Sequence, residues 1–288
     1  MTTANLTHAE ATARSAALRL STYDLHLDVT NAPTDVDSYE VTARITFTTT
    51  EPETFVDYLG KAVHSVRVNG EEVENTFDGG RVYLSNLPVG EELTVEITGS
   101  SYYSRTGQGL HRMHDQADGT TYLYSHLEPS DARRIFPCFD QPDLKASYEV
   151  HLTGPEGWQL LSNQPEVGRE KTDSGEVAHF APTPLLSTYL TAFAAGPYVA
   201  KHSTWTAPDG SLEVELRAFA RASMAEYVDD EILQITAQGM DFFHANFGYP
   251  YPWGKYDSIF VPEYNLGAME NPGLVTFTEH YLFRSAAT

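Results

Sequence analysis

The sequence predicts a mainly β protein: a β-sandwich or saddle-like sheet assembly through about residue 197, followed by a shorter α+β region. Three observations carry this reading. Apolar and polar residues alternate with a period of two in segment after segment, turn residues separate those segments, and a sustained helical period comes only after residue 220. With 41% hydrophobic and 12% aromatic residues, the 288-residue chain is long enough for two domains with their own cores.

A polar lead, residues 1 to about 17, is expected to be frayed or briefly helical. Tyr23, Leu25, Leu27 and Val29 then alternate with Asp24, His26 and Asp28, and Val41, Ala43, Ile45 and Phe47 alternate with Thr42, Arg44 and Thr46. Both segments read as strands with one face in a core. Val66-Arg67-Val68 and Glu71-Glu72-Val73 flank Asn69-Gly70, which accepts the positive φ angles of a type I′ hairpin turn. Leu93, Val95 and Ile97 give a further strand, as do Tyr148, Val150 and Leu152. The character shifts near residues 197 to 203, where a domain boundary is placed; the first part is expected to fold independently. Leu212, Val214 and Leu216 read as a strand. From about Ser223 to Phe247 a helical pattern puts Leu233, Thr236, Met240, Phe243 and Phe247 on one face, with Gly248 as its stop and Pro250 and Pro252 beyond. Ser258 to Val261 reads as a strand leading to a Gly/Ala segment.

Forty acidic against eighteen basic side chains leave a formal charge of −22, a surface that repels phosphate backbones and excludes nucleic acid as a partner. No stretch approaches the roughly 20 apolar residues of a membrane span. Met1 to Asn5 lacks the basic and apolar regions of a secretion signal. Cys138 is the only cysteine, which excludes an intrachain disulfide and fits a reducing compartment. These features lead us to expect a cytoplasmic protein.

The stretch richest in chemistry is Gly267-Ala268-Met269-Glu270-Asn271. A carboxylate between apolar runs is poor core design, because an unpaired buried charge is costly. It suits a segment where backbone and carboxylate both face a ligand: a fixed carboxylate binds an ammonium by a charge-assisted hydrogen bond, and glycine permits close backbone approach. A second polar cluster, Ser125 to Pro142, contains Glu128 together with Asp131, Arg133, Arg134 and Asp140, the last four read as a structural salt-bridge network. None of the eleven histidines begins a His-Glu-x-x-His, the helical arrangement that presents two imidazoles and a general base around zinc. His111 with His114, and Glu279 with His280, are weak alternatives, so no residue of this chain is assigned as a metal ligand.

The run Tyr264 to Phe277, which includes Gly-Ala-Met-Glu-Asn, resembles the exopeptidase signature of the M1 (gluzincin) family of zinc aminopeptidases, aminopeptidase N-like. Further family-like runs are Gly109 to Arg112, Leu161 to Pro165, Leu186 to Phe193 and Phe247 to Asp257, so the resemblance spans about residues 20 to 285. It implies residues 1–200 as an N-terminal saddle-like β domain and 201–288 as the incomplete, α+β start of a thermolysin-like catalytic domain. It also implies peptide substrates with a free N-terminus. Glu270 and Glu128 would anchor the α-ammonium, Gly267 and Ala268 would pair with the peptide backbone, and Leu266, Met269 and Tyr281 would border the first-residue pocket beside Asn271. His126 stands where the family usually has the first glutamine of Gln-x-Glu, which leaves its role open. In relatives the zinc helix follows the exopeptidase segment by roughly thirty residues. The chain is therefore expected to be truncated before its zinc site, to need the remaining C-terminal domains of a zinc-bearing parent, and to be inactive alone. Apolar residues after about 200 are expected to leave local disorder or self-association. Two other readings share the motif: a relative that also opens epoxides, and a non-catalytic M1-like scaffold, which the intact ammonium anchor argues against.

Overall fold

The computed structural model describes residues 5–285; the first four residues of the polar lead and Ala286 to Thr288 lie outside it. In chain order the elements begin with α1 (His8–Ala17), β1 (Leu18–Asp28), β2 (Ser38–Thr49), β3 (Thr54–Asp57), β4 (Ala62–Val68), β5 (Glu71–Glu72), β6 (Arg81–Leu84) and β7 (Glu92–Tyr102). They continue with β8 (Gly109–His114), β9 (Thr121–His126), β10 (Ser147–Gly154), β11 (Gln159–Ser162), β12 (Glu166–Lys171), β13 (Glu176–Phe180) and β14 (Phe193–Gly196). The last part holds β15 (Val199–Thr206), β16 (Glu213–Ala220), α2 (Asp230–Phe247), β17 (Lys255–Val261), β18 (Ala268–Met269) and β19 (Leu274–Thr278). Strands take 44% of the chain and helices 15%, so the mainly β expectation holds.

The alternating segments form one eight-stranded sheet, in the order β12-β13-β10-β1-β2-β7-β4-β5. Its strands pair antiparallel except for β1 with β10. Tyr23, Leu25, Leu27, Val41, Ala43, Ile45 and Phe47 are buried on its inner face, as their period requires. Asn69 and Gly70 both take positive φ, 51° and 84°, and close the β4–β5 hairpin.

A four-stranded sheet, β11-β14-β9-β8, packs behind the first. It has two buried faces. Leu123, Phe193 and Ala195 join the first core, whereas Tyr122, Tyr124 and Ala194 turn into a second core with Phe219, Ile259, Val261 and Leu274. Those last residues belong to the five-stranded sheet β15-β16-β17-β19-β18. On that sheet's far side Val214, Leu216, Ala218 and Phe260 meet Leu233 and Met240 of α2. Three sheets and a helix are thus stacked in sequence.

The helical pattern breaks into two. Ala222–Tyr227 is a 3-10 turn, Val228 is extended, and Asp229 caps α2 by accepting from the Glu231 amide at 3.1 Å. Gly248, at φ 62°, ends α2 as expected. Only part of the anticipated face is covered: Leu233 and Met240 are buried, but Phe243 and Phe247 are exposed beside Phe242 and Tyr249. Such a patch favours association. We expect concentration-dependent oligomers in sedimentation velocity, and a shift toward monomer when Phe243 and Phe247 are both replaced by serine.

The Ser125 to Pro142 cluster is a buried polar knot. Arg134 pairs with Asp131 at 2.5 Å, Arg14 of α1 pairs with Asp57 at 2.7 Å, and Asp140 accepts from Thr188 Oγ1 at 2.7 Å and from the Arg133 amide at 3.2 Å. Burial pushes the Asp140 carboxyl up to about 6 from 3.8, against those two hydrogen bonds. A carboxyl that holds its proton more tightly folded than unfolded contributes stability below pH 3.8 that is lost as pH rises through about 6. The shift corresponds to on the order of 3 kcal/mol. Urea denaturation at acidic and at neutral pH is expected to show a smaller difference for Asp140→Asn than for the parent sequence. Among the described residues, no helix is long and apolar enough to cross a membrane.

Candidate functional site

The loop after β17 is fastened to the middle sheet. Glu263 takes a positive φ of 53°, uncommon for a side-chain-bearing residue, and is held on both sides. Its carbonyl accepts from Tyr124 Oη at 3.1 Å, and its carboxylate meets His111 Nε2 at 2.9 Å. His111 is buried, and its Nδ1 accepts from the Gly107 amide at 3.1 Å, which assigns the ring proton to Nε2. Burial lowers the His111 pKa, with Glu263 opposing. Asn265 adds a hydrogen bond from Nδ2 to the Thr106 carbonyl at 2.9 Å.

The chain then forms β18, antiparallel to β19 at the edge of the five-stranded sheet. Among the described residues no strand pairs with its other side, which leaves a short open edge. Strand alternation sets the side chains: Ala268 and Glu270 are exposed, whereas Met269 is 2% exposed and packs in the second core. Met269, expected to border the first-residue pocket, thus turns its side chain inward. Leu266 and Tyr281 do stand exposed. A Cβ at Gly267 would lie 2.5 Å from Tyr281 Oη, so the exposed Tyr281 ring would have to swing aside for any larger residue there. Asn271 is buried and serves the turn: its carbonyl accepts from the Leu274 amide at 3.1 Å, and its Nδ2 donates to Thr276 Oγ1 at 3.3 Å.

Glu128 arrives from the other side, exposed two residues after β9 and joined to Pro129 by a cis peptide bond. Tyr264 follows Glu263 in the loop; its ring stands edge-on to Tyr124 and His126, and its Oη is 3.2 Å from His126 Nδ1. Burial raises the Tyr264 pKa, and the charges of Glu128 and Glu270 raise it further. His126 is held below its ordinary value by burial, against the pull of Glu128 and Asp131. Burial thus disfavours the charged form of both this imidazole and this phenol, while Glu128 and Glu270 stand exposed. The arrangement suits a small cation tethered to an extended backbone.

The donors here do not fit a catalytic zinc. His111 is committed to Glu263 and Gly107, His126 to Tyr264, and the sequence holds no His-Glu-x-x-His.

A model of the peptidase M1 N-terminal domain matches residues 21–190, and a model of the peptidase family M1 domain matches residues 231–288. The chain belongs to peptidase family M1. It is 40% identical to an aminopeptidase N of Streptomyces lividans over 99% of its own length and 33% of that protein's. It is 31% identical to aminopeptidase 2 of Candida albicans over 88% of its length and 28% of the relative's. Against aminopeptidase N of Rattus norvegicus the identity is 38%, over 55% of the chain and 16% of that protein. The chain therefore spans about a third or less of the length of these M1 relatives.

The candidate site draws on both M1 matches, because Glu128 falls within the first and Glu270 within the second. Around them is a set of contacts that the sequence did not announce. Tyr264 and the His111–Glu263 pair have no spacing signal, since their partners lie 138 and 152 positions away. The one visible hint is the pair of tyrosines in β9, Tyr122 and Tyr124.

Proposed function

We propose that this chain is the substrate-recognition portion of a zinc-dependent, cytoplasmic aminopeptidase that releases N-terminal residues from peptides. Residues 1–200 form its N-terminal β domain, and 201–288 the incomplete first part of its catalytic domain. The observation that carries this reading is the exposed Glu270 in the Gly267–Asn271 run, beside the edge strand β18 and inside the M1 domain match. The carboxylates would hold a peptide's α-ammonium, and Gly267 and Ala268 would pair with its backbone as an added strand. Leu266 and Tyr281 would border the first side chain. Zinc and the groups that hold it would come from the remaining C-terminal domains of the parent, and with no His-Glu-x-x-His the chain alone is proposed to hydrolyse nothing.

The test is made on the full-length parent with alanine and leucine anilides, free or N-acetylated, with and without a chelator. Chelator-sensitive cleavage of only the free-amine forms is expected. Glu270→Gln should lower kcat/KM for them by roughly 30-fold or more, the equivalent of losing about 2 kcal/mol of charge pairing. Unchanged kcat/KM in that variant would overturn the ammonium-anchor assignment, and cleavage of the acetylated forms would overturn the aminopeptidase reading.

A further inference from the structure

The outer, polar face of the eight-stranded sheet carries a histidine row that the candidate site does not use. His26 of β1 lies opposite His151 of β10 in the parallel register, and His151 lies opposite His179 of β13. Three imidazoles therefore stand abreast across three adjacent strands, with the His26 and His151 rings stacked at 4.3 Å. Asp24, two residues before His26 and on the same face, points its carboxylate at them.

The hydrogen bonding leaves an unusual gap. Asp24 Oδ2 is taken by Arg44 at 2.9 Å, but Asp24 Oδ1 is a buried oxygen with no hydrogen-bond partner. It lies 2.9 Å from His26 Nε2 and 3.4 Å from His151 Nε2. His151 Nδ1 is 2.6 Å from His179 Nδ1, so with its proton shared there the lone pair of Nε2 faces Asp24. His26 Nε2 receives Arg44 Nη1 at 3.3 Å, which makes it an acceptor too. With both imidazoles neutral and their Nε2 lone pairs turned to Asp24, three acceptor atoms converge, all within 4.8 Å of one another.

We propose that Asp24, His26 and His151 bind a divalent transition-metal ion of the zinc class, with His179 as the positioning residue that orients His151. Two imidazole nitrogens and one carboxylate oxygen are the donor set that such ions prefer, whereas magnesium and calcium take oxygen ligands. Ligand atoms of a tetrahedral zinc lie about 3.3 Å apart, close to the spacing of Asp24 and His151. Glu149, with Oε1 3.9 Å from His151 Nε2, is near enough to complete the set. Among the described residues Arg44 is the cation in contact with the site; it is held by Glu96 at 2.6 Å as well as by Asp24, and the ion would replace its contact with His26. The half-exposed His26 and Asp24 leave the site open to solvent.

The test is calorimetric titration of the 288-residue chain with zinc chloride at neutral pH, repeated with magnesium chloride. Thermal melts with and without each metal accompany it. One zinc per chain and a raised Tm are expected, with no response to magnesium. His26→Gln and His151→Gln should each weaken zinc binding by more than about tenfold, and His179→Gln by about tenfold through loss of ring orientation. His280→Gln, at an exposed position elsewhere, should leave it unchanged. His26→Gln sits on the sheet surface and keeps the test sound if His151→Gln fails to fold. Absence of zinc binding, or binding undiminished in His26→Gln, would overturn the proposal and leave Asp24 and its histidines as a proton-linked ion pair.

Discussion

Replacing Lys255 by methionine is expected to destabilise the fold by about 3–5 kcal/mol, read as a lowered midpoint in urea denaturation at unchanged slope. Lys255 is 1% exposed, and its Nζ makes three hydrogen bonds: to the Ser162 carbonyl at 2.9 Å, the Gly273 carbonyl at 2.6 Å and Asp257 Oδ2 at 2.6 Å. Burial pushes its pKa down and Asp257 pushes it back up. Methionine fills similar volume but takes a donor from two buried carbonyls, of which Gly273's keeps only the Asp257 amide at 3.2 Å, and removes a cation from Asp257, which retains Arg217 at 2.6 Å. The volume match matters, because it separates the electrostatic loss from a cavity. A loss below about 1 kcal/mol would mean that Arg217 alone satisfies Asp257 and that water reaches the carbonyls.

Gly273→Ala is the second large effect, expected at about 3 kcal/mol or more. Two terms add. Gly273 has φ 75°, and a left-handed conformation costs a residue with a Cβ roughly 1–2 kcal/mol. A Cβ there would also lie 2.0 Å from the Asn163 carbonyl oxygen. That backbone cannot easily retreat: the Asn163 side chain donates to the Leu190 and Pro272 carbonyls, both at 2.9 Å, and accepts from the Ala192 amide at 2.8 Å. Gly210, at φ 71° with nothing near its would-be Cβ, supplies the comparison. Gly210→Ala should show the conformational term alone, so the difference between the two variants measures the collision. Equal costs would show that the Asn163 segment yields.

Much of the fold was legible because burial on one face writes itself into the sequence. Tyr23 to Val29 and Val41 to Phe47 alternate since one side of their sheet meets solvent, and Asn69-Gly70 announces its turn by conformational need alone. The reading fails where that logic does. Thr121 to Ser125 is buried on both faces and carries no alternation. The break at Val228 and Asp229 is invisible to a helical period that continues across it, and the exposed Phe243 and Phe247 satisfy the same period as the buried Met240. At the candidate site Glu270, Glu128, Leu266 and Tyr281 stand exposed, as a ligand-facing role needs, but Met269 points inward by strand alternation that a two-residue strand is too short to advertise. The histidine row was out of reach for another reason: adjacency of His26, His151 and His179 is a property of strand register, not of spacing along the chain.

The middle sheet has a consequence for how this molecule can be divided. Tyr122, Tyr124 and Ala194 belong by sequence to the first part of the chain but by packing to a core completed by Phe219, Ile259 and Leu274. A cut between β14 and β15 would sever no strand pairing within either large sheet, yet it would strip one wall of that core and wet two tyrosine rings that are 0% and 1% exposed in the intact chain. The piece released would keep its topology and gain an adhesive face. Dissection where the sequence changes character would therefore open an interior that the two parts share.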